Sequence, residues 1–107
     1  MKIKETVTYD DVLLVPQYSN IKSRREVSID SFLRAQNSQT GPALRLSLPI
    51  IASPMDTISE TDMGIAMWNA GGLAVVHRYN TIEAQTDIID RILLAGGNAA
   101  AAIGTSG

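Results

Sequence analysis

Cysteine is absent and histidine occurs once, which excludes a disulfide scaffold and a thiolate metal site and leaves any other metal site short of donors. A strong charge of one sign is lacking too. Nine basic against eleven acidic side chains give a net charge of −2, with no basic arm or patch, and this argues against a non-specific nucleic-acid surface. No apolar run approaches the ~18 residues needed to span a membrane, and Met1–Glu5 leads into polar alternation without a signal core. No membrane contact and a cytoplasmic location are the expectations. GxGxxG and Walker-type runs are missing as well, so a Rossmann or P-loop reading has no support.

What the chain does have is a repeated design. Leu48-Pro-Ile-Ile-Ala-Ser-Pro-Met-Asp-Thr57 is an apolar run too short for a comfortable helix that ends in small polar groups. It reads as a strand buried on both faces with chemistry at its carboxyl end. Leu73-Ala-Val-Val-His-Arg78 repeats the pattern, and Ala99–Ile103 is a third apolar strand. Strand starts at Leu48, Leu73 and Ala99 recur at nearly even spacing, as βα units of a parallel sheet do.

Between them the pattern predicts two helices. Ser59 can cap the first through its hydroxyl, with Asp62 three residues on, and Met63, Ala66, Met67 and Ala70 form its buried stripe before Gly71-Gly72 stops it. Thr81 caps the second, with Glu83 in its first turn. Ile82, Ile88, Ile89, Ile92 and Leu93 make its buried stripe before Gly96-Gly97. Residues 1–47 read as an irregular lead-in with extended pieces at Thr6–Val15 and Val27–Phe32, a basic bend at Lys22-Ser-Arg-Arg25 and a surface loop at Ser38–Pro42. Residues 48–107 are the βαβαβ part.

Four ordered motifs carry a resemblance. Tyr9-Asp-Asp-Val-Leu-Leu-Val-Pro16, Lys22-Ser-Arg-Arg-Glu-Val27, Ser53-Pro-Met-Asp-Thr57 and Gly71-Gly-Leu-Ala-Val-Val-His77 together resemble the IMP dehydrogenase and GMP reductase family. The resemblance implies purine-nucleotide oxidoreduction on a (β/α)8 TIM barrel, with NADP(H) or NAD(H) as cofactor and a homotetrameric assembly. A barrel of this type needs roughly 250 residues, so 107 residues are expected to hold its N-terminal part, about three strands and two helices, with residues 1–47 as a capping segment. The family's reaction uses a cysteine nucleophile on a loop after the sixth strand. No catalytic residue of that kind is in this chain, and the nucleophile is expected beyond Gly107.

Working groups in parallel α/β folds gather at the carboxyl ends of the strands. After the first strand, Ser53 can hydrogen-bond a phosphate or ribose and Met55 offers polarizable contact to a purine, and the resemblance assigns both to the nucleotide, GMP or IMP. The alternative is that Ser53 and Asp56 only satisfy backbone groups in the Pro54 turn, and that reading leads for Asp56 and Thr57. After the second strand, His77 and Arg78 stand as cofactor candidates beside plainer readings, a hydrogen-bonded structural histidine and a solvated arginine. GMP reductases often carry a lysine where this chain has Arg78, although histidine followed by arginine occurs in some relatives. After the third strand, Thr105 and Ser106 suit a cofactor amide or phosphate.

Within the family, most IMP dehydrogenases insert a pair of regulatory modules between the second helix and the third strand, whereas Leu94-Ala-Gly-Gly-Asn98 joins them directly here. That connection, Lys22-Ser-Arg and Gly104-Thr-Ser favour GMP reductase. Ser53-Pro-Met and Met63-Gly-Ile-Ala-Met67 look more like IMP dehydrogenase. Outside the family, a non-enzymatic α/β nucleotide-binding module or another phosphate-binding barrel enzyme would also produce the βα rhythm.

Overall fold

Proline has no amide hydrogen to give to a ladder, and Pro49 sets where the first parallel pairing can begin. In the computed structural model, which describes residues 6–34 and 43–105, that strand is Ile51–Ala52 and not the whole run from Leu48. Leu48 still donates its N–H to Gly71 O at 3.0 Å, and Leu73 donates to Ile50 O at 3.1 Å, so the run follows its neighbour without joining the ladder.

In chain order the elements are two antiparallel strands, β1 (Ser31–Leu33) and β2 (Leu44–Leu46), then β3 (Ile51–Ala52), α1 (Thr61–Asn69), β4 (Leu73–Val76), α2 (Ile82–Leu94) and β5 (Ala99–Ala101). Strands β3, β4 and β5 are parallel with β4 in the centre, in registers Ile51↔Leu73 and Ala74↔Ala99. The two helices contact each other as well as β4 and β5, so they cover one face of the sheet. Burial on both faces is therefore not met at β3. Ile50 and Ile51 stay about half exposed, because β3 is an edge strand with helices on one side only.

Leu73, Ala74, Val76 and Ile92 form the core of this unit. Where the helices cross, the buried residue of α1 is Gly64. A methyl group there would overlap Ile92 Cδ1, so the helices approach through a missing side chain. This corrects the expected α1 stripe, since Met63 and Met67 are half-buried but Ala66 and Ala70 are exposed. In α2, Ile92 is buried and Ile88 and Ile89 are half-buried, while Ile82 and Leu93 face outward.

Both helix ends form as the sequence predicts. Gly71 (φ +90°) and Gly96 (φ +79°) take the left-handed conformation one residue past each cap. The following N–H groups bond back, Gly72 to Met67 O and Gly97 to Ile92 O, both at 2.9 Å, which closes each helix with two satisfied carbonyls. At the start of α2, Thr81 Oγ1 accepts from Ala84 N–H at 3.2 Å, as expected for its cap.

Before the parallel sheet, Thr6–Val15 is not a β piece. Asp11 folds back on Thr8 through its backbone N–H (2.8 Å) and hydroxyl (3.0 Å), and Tyr9–Asp11 is a short 3-10 turn. The basic bend is a second such turn, Arg24–Glu26, with Ser23 accepting from Arg25 N–H. Only the end of the Val27–Phe32 piece becomes strand, and its partner β2 was not foreseen. Arg45 holds this pair through Asp30 at 2.7 Å. The expected loop at Ser38–Pro42 lies outside the described residues.

Candidate functional site

Parallel register brings the carboxyl ends of β3, β4 and β5 to one edge, and three loops leave from it: Ser53–Glu60, His77–Thr81 and Ala102–Thr105. The first is held from within. Ser59, completely buried, donates its hydroxyl to Ser53 O and accepts Met55 N–H at 3.3 Å. Ser59 N–H reaches back to Met55 O at 2.9 Å. Ser59 is thus not the cap of α1. Glu60 occupies that position without a side-chain capping bond, while the Ser59 hydroxyl is spent inside the turn.

This changes the choice posed at Ser53. Its backbone carbonyl is part of the turn, accepting from Ser59 and from Met55 N–H at 2.9 Å, while its hydroxyl makes no hydrogen bond among the described residues. Met55 is about half exposed beside it. The backbone-satisfying work foreseen for Ser53 or Asp56 is done by Ser59, and a free hydroxyl and an open thioether remain on the surface of a fixed turn. Thr57 takes a left-handed backbone (φ +59°), the one non-glycine residue to do so among those described. For a β-branched residue this conformation costs energy that the surrounding turn must hold.

His77 is 2% exposed and engaged at both ring nitrogens. Nδ1 accepts Tyr79 N–H at 3.2 Å, so the ring hydrogen resides on Nε2, which faces Glu60 Oε1 at 3.2 Å and Asp56 Oδ1 at 3.9 Å. Its ring therefore points toward the β3 loop and offers no surface to solvent. Arg78 turns the other way. Its guanidinium sits 5.7 Å from the Tyr79 ring centroid and within 3.4 Å of where a Gly104 Cβ would stand, with no carboxylate partner among the described residues.

Arg78, Asn80, Thr81, Gln85 and Gly104 line a cleft of about 260 Å³ between the ends of β4 and β5. Gln85, missed in the sequence, fixes its floor by donating Nε2–H to His77 O and Ala102 O, each at 3.0 Å. Asn80 Oδ1 is buried without a hydrogen-bond partner. Thr105 is exposed at the mouth of the third loop, and Ser106 lies outside the described residues. Among the described residues no group of three or more His, Cys, Asp or Glu could hold a metal, and no helix is long and apolar enough to cross a membrane.

An α/β unit with polar loops at the carboxyl ends of its parallel strands defines a class, the parallel α/β proteins whose working groups gather at that edge. Comparison supplies the family. Residues 6–99 match the model of the IMP dehydrogenase / GMP reductase domain. The inosine-5'-monophosphate dehydrogenase of Nitrosopumilus maritimus is 35% identical over 96 residues, which is 90% of this chain and 19% of that protein. The GMP reductase of Leishmania donovani is 36% identical over 90 residues, or 84% and 17%. Among solved structures, a cysteine-to-alanine variant of GMP reductase from Trypanosoma brucei superposes with a TM-score of 0.69 at 40% identity, over 84% of this chain and 19% of that one.

The chain belongs to the IMP dehydrogenase and GMP reductase family, whose members are oxidoreductases. Its α/β architecture corresponds to the N-terminal part of the GMP reductase barrel, and it spans about a fifth of the length of these relatives.

Proposed function

We propose that the full-length protein is a purine-nucleotide oxidoreductase of the GMP reductase type, converting GMP to IMP by NADPH-dependent reductive deamination. Residues 48–107 are read as the first βαβαβ part of its catalytic barrel and residues 1–47 as a capping segment. The carrying observation is the Ser53–Glu60 turn, which is fixed from inside by Ser59 yet presents a free Ser53 hydroxyl and the Met55 thioether at the edge where the parallel strands end. In this reading Ser53 donates to the phosphate or ribose, and Met55 lies against the purine. Because the turn is set before the ligand arrives, little ordering is required on binding.

The nicotinamide cofactor belongs at the Arg78 cleft. A guanidinium with no carboxylate partner and a buried Asn80 oxygen with no hydrogen-bond partner, both among the described residues, line one cleft and fit a ligand carrying phosphate and amide groups. Arg78 and Thr105, with Ser106, would hold the cofactor, which supplies hydride to the purine when bound. His77 stands behind this cleft with its ring turned toward the β3 loop. A homotetramer in the cytoplasm completes the proposal.

The reductase reading leans on the direct Leu94–Asn98 connection between α2 and β5, and the GMP reductase structures similar at 40% and 41% identity support it. The oxidation of IMP to XMP with NAD is the second reading, favoured by the dehydrogenase names among the relatives. Nicotinamide absorbance in the full-length protein distinguishes them. GMP with NADPH should give falling absorbance and release of ammonia, whereas rising absorbance with IMP and NAD, and none with GMP, would replace this reading with the second.

A further inference from the structure

We propose that His77 is a positioning residue for the nucleotide, acting through Glu60 on the turn that carries Ser53 and Met55. The proposal rests on the reading of that turn as the nucleotide contact. His77 directly follows β4, while the turn follows β3, so the link runs between two loops. Tyr79 N–H occupies Nδ1 and thereby commits the Nε2 hydrogen to Glu60 Oε1. Glu60 is tied on both sides. Its carbonyl accepts Gly64 N–H at 2.8 Å in the first turn of α1, and its neighbour Ser59 holds Ser53 O and Met55 N–H.

The chain of contacts therefore runs from the His77 ring to Glu60, along one peptide unit to Ser59, and into the backbone of Ser53 and Met55. Behind the ring, the His77 carbonyl is gripped by Gln85, which also grips Ala102 O, so the imidazole is anchored to the sheet. Glu60 is about half exposed and Asp56 nearly two-thirds, and both would be free to sample other rotamers without this buried partner. Holding the turn in one arrangement matters because small displacements of binding groups reduce the productive fraction of complexes.

The two nitrogens can be tested separately in the full-length protein. His77→Gln keeps an N–H donor near the place of Nε2, whereas His77→Asn keeps an acceptor near Nδ1 but falls short of Glu60. Glu60→Gln keeps the acceptor and Glu60→Ala removes it. His77→Asn and Glu60→Ala are each expected to weaken GMP binding about tenfold with the NADPH KM nearly unchanged. Both Gln variants should restore GMP affinity, and the double variant should be no worse than either single one.

Unchanged GMP affinity in folded Glu60→Ala, in a protein where Ser53→Ala does weaken binding, would overturn the link while leaving the nucleotide reading intact. An equal rise in both KM values with a lowered Tm and no rescue by glutamine would overturn it as well, since that is the signature of a merely structural histidine. If Ser53→Ala itself leaves GMP affinity unchanged, the nucleotide reading fails and this proposal falls with it.

Discussion

The loop after β3 and the loop after β4 leave the same sheet edge, yet they are built in opposite ways. The first spends a buried serine on its own backbone and meets the Nε2 of a buried histidine at the Glu60 carboxylate, so its shape is fixed while Ser53 and Met55 stay open. The second has its polar tips unspent among the described residues, with Arg78 lying over Tyr79 and beside Gly104, and Asn80 Oδ1 without a partner there. One loop is prepared in advance, and the other holds groups whose partners a ligand would supply. Such a pair suits a two-ligand site in which the nucleotide meets a set surface and the cofactor completes an open one.

The comparison breaks most severely if its shared support is removed. Ile92 is fully buried and ties α2 to Gly64 of α1 in the helix layer that supports the sheet, and Ile92→Ala should cost about 2–5 kcal/mol of unfolding free energy by leaving a cavity that the close helix crossing cannot fill. Denaturant melts would check this, and a loss well under 1 kcal/mol would mean that the helices do not depend on that contact.

A smaller and more selective effect is expected at Arg78. In the full-length protein Arg78→Ala should raise the cofactor KM about tenfold while stability moves by less than about 0.5 kcal/mol, since the side chain is exposed. Arg78→Lys should recover a charge contribution but not a two-pronged phosphate contact, because ammonium lacks the planar fork. Wild-type kinetics in Arg78→Ala would make this arginine a solvated surface residue.

Thr57 sharpens the contrast from the side of the fixed loop. Replacing it with glycine removes the left-handed penalty, about 1 kcal/mol, so Thr57→Gly should raise Tm slightly if the turn stores that cost. A lowered Tm would show that the Thr57 hydroxyl, which donates to Asp56 O at 2.7 Å, is worth more than the conformation costs.

The smallest effect is expected in the Tyr9–Asp11 turn. Hydrogen bonds from Thr8 backbone and hydroxyl hold the Asp11 carboxyl below its ordinary pKa. A depressed carboxylate lends its turn stability above the unfolded pKa and loses it as pH falls through the folded one. NMR titration should find Asp11 titrating below the ordinary carboxylate value, and Thr8→Ala should bring it back toward that value.

Much of this was legible in the sequence because it depends on near neighbours. The Gly71 and Gly96 helix stops, the Thr81 cap and the succession of three strands need only a few adjacent residues to be read. Ser59 was misread for the same reason: Ser59 with Asp62 three residues on has the form of a helix cap, but burial beside Ser53 turned the hydroxyl inward. Gly64 was missed as a core position because a stripe is sought among apolar side chains, and this crossing needed none. Gln85 and the β1–β2 pairing depend on carbonyls and strands distant in the chain, which no local pattern encodes.

The central claim is that the fixed turn after β3 exists to hold a purine nucleotide through Ser53. Calorimetric titration of GMP into the full-length protein and its Ser53→Ala variant tests it most directly. A loss of about 1–3 kcal/mol in binding free energy with unchanged Tm is expected, as for removal of a hydrogen bond to a charged or ribose group. Equal affinity in a folded Ser53→Ala protein would contradict it.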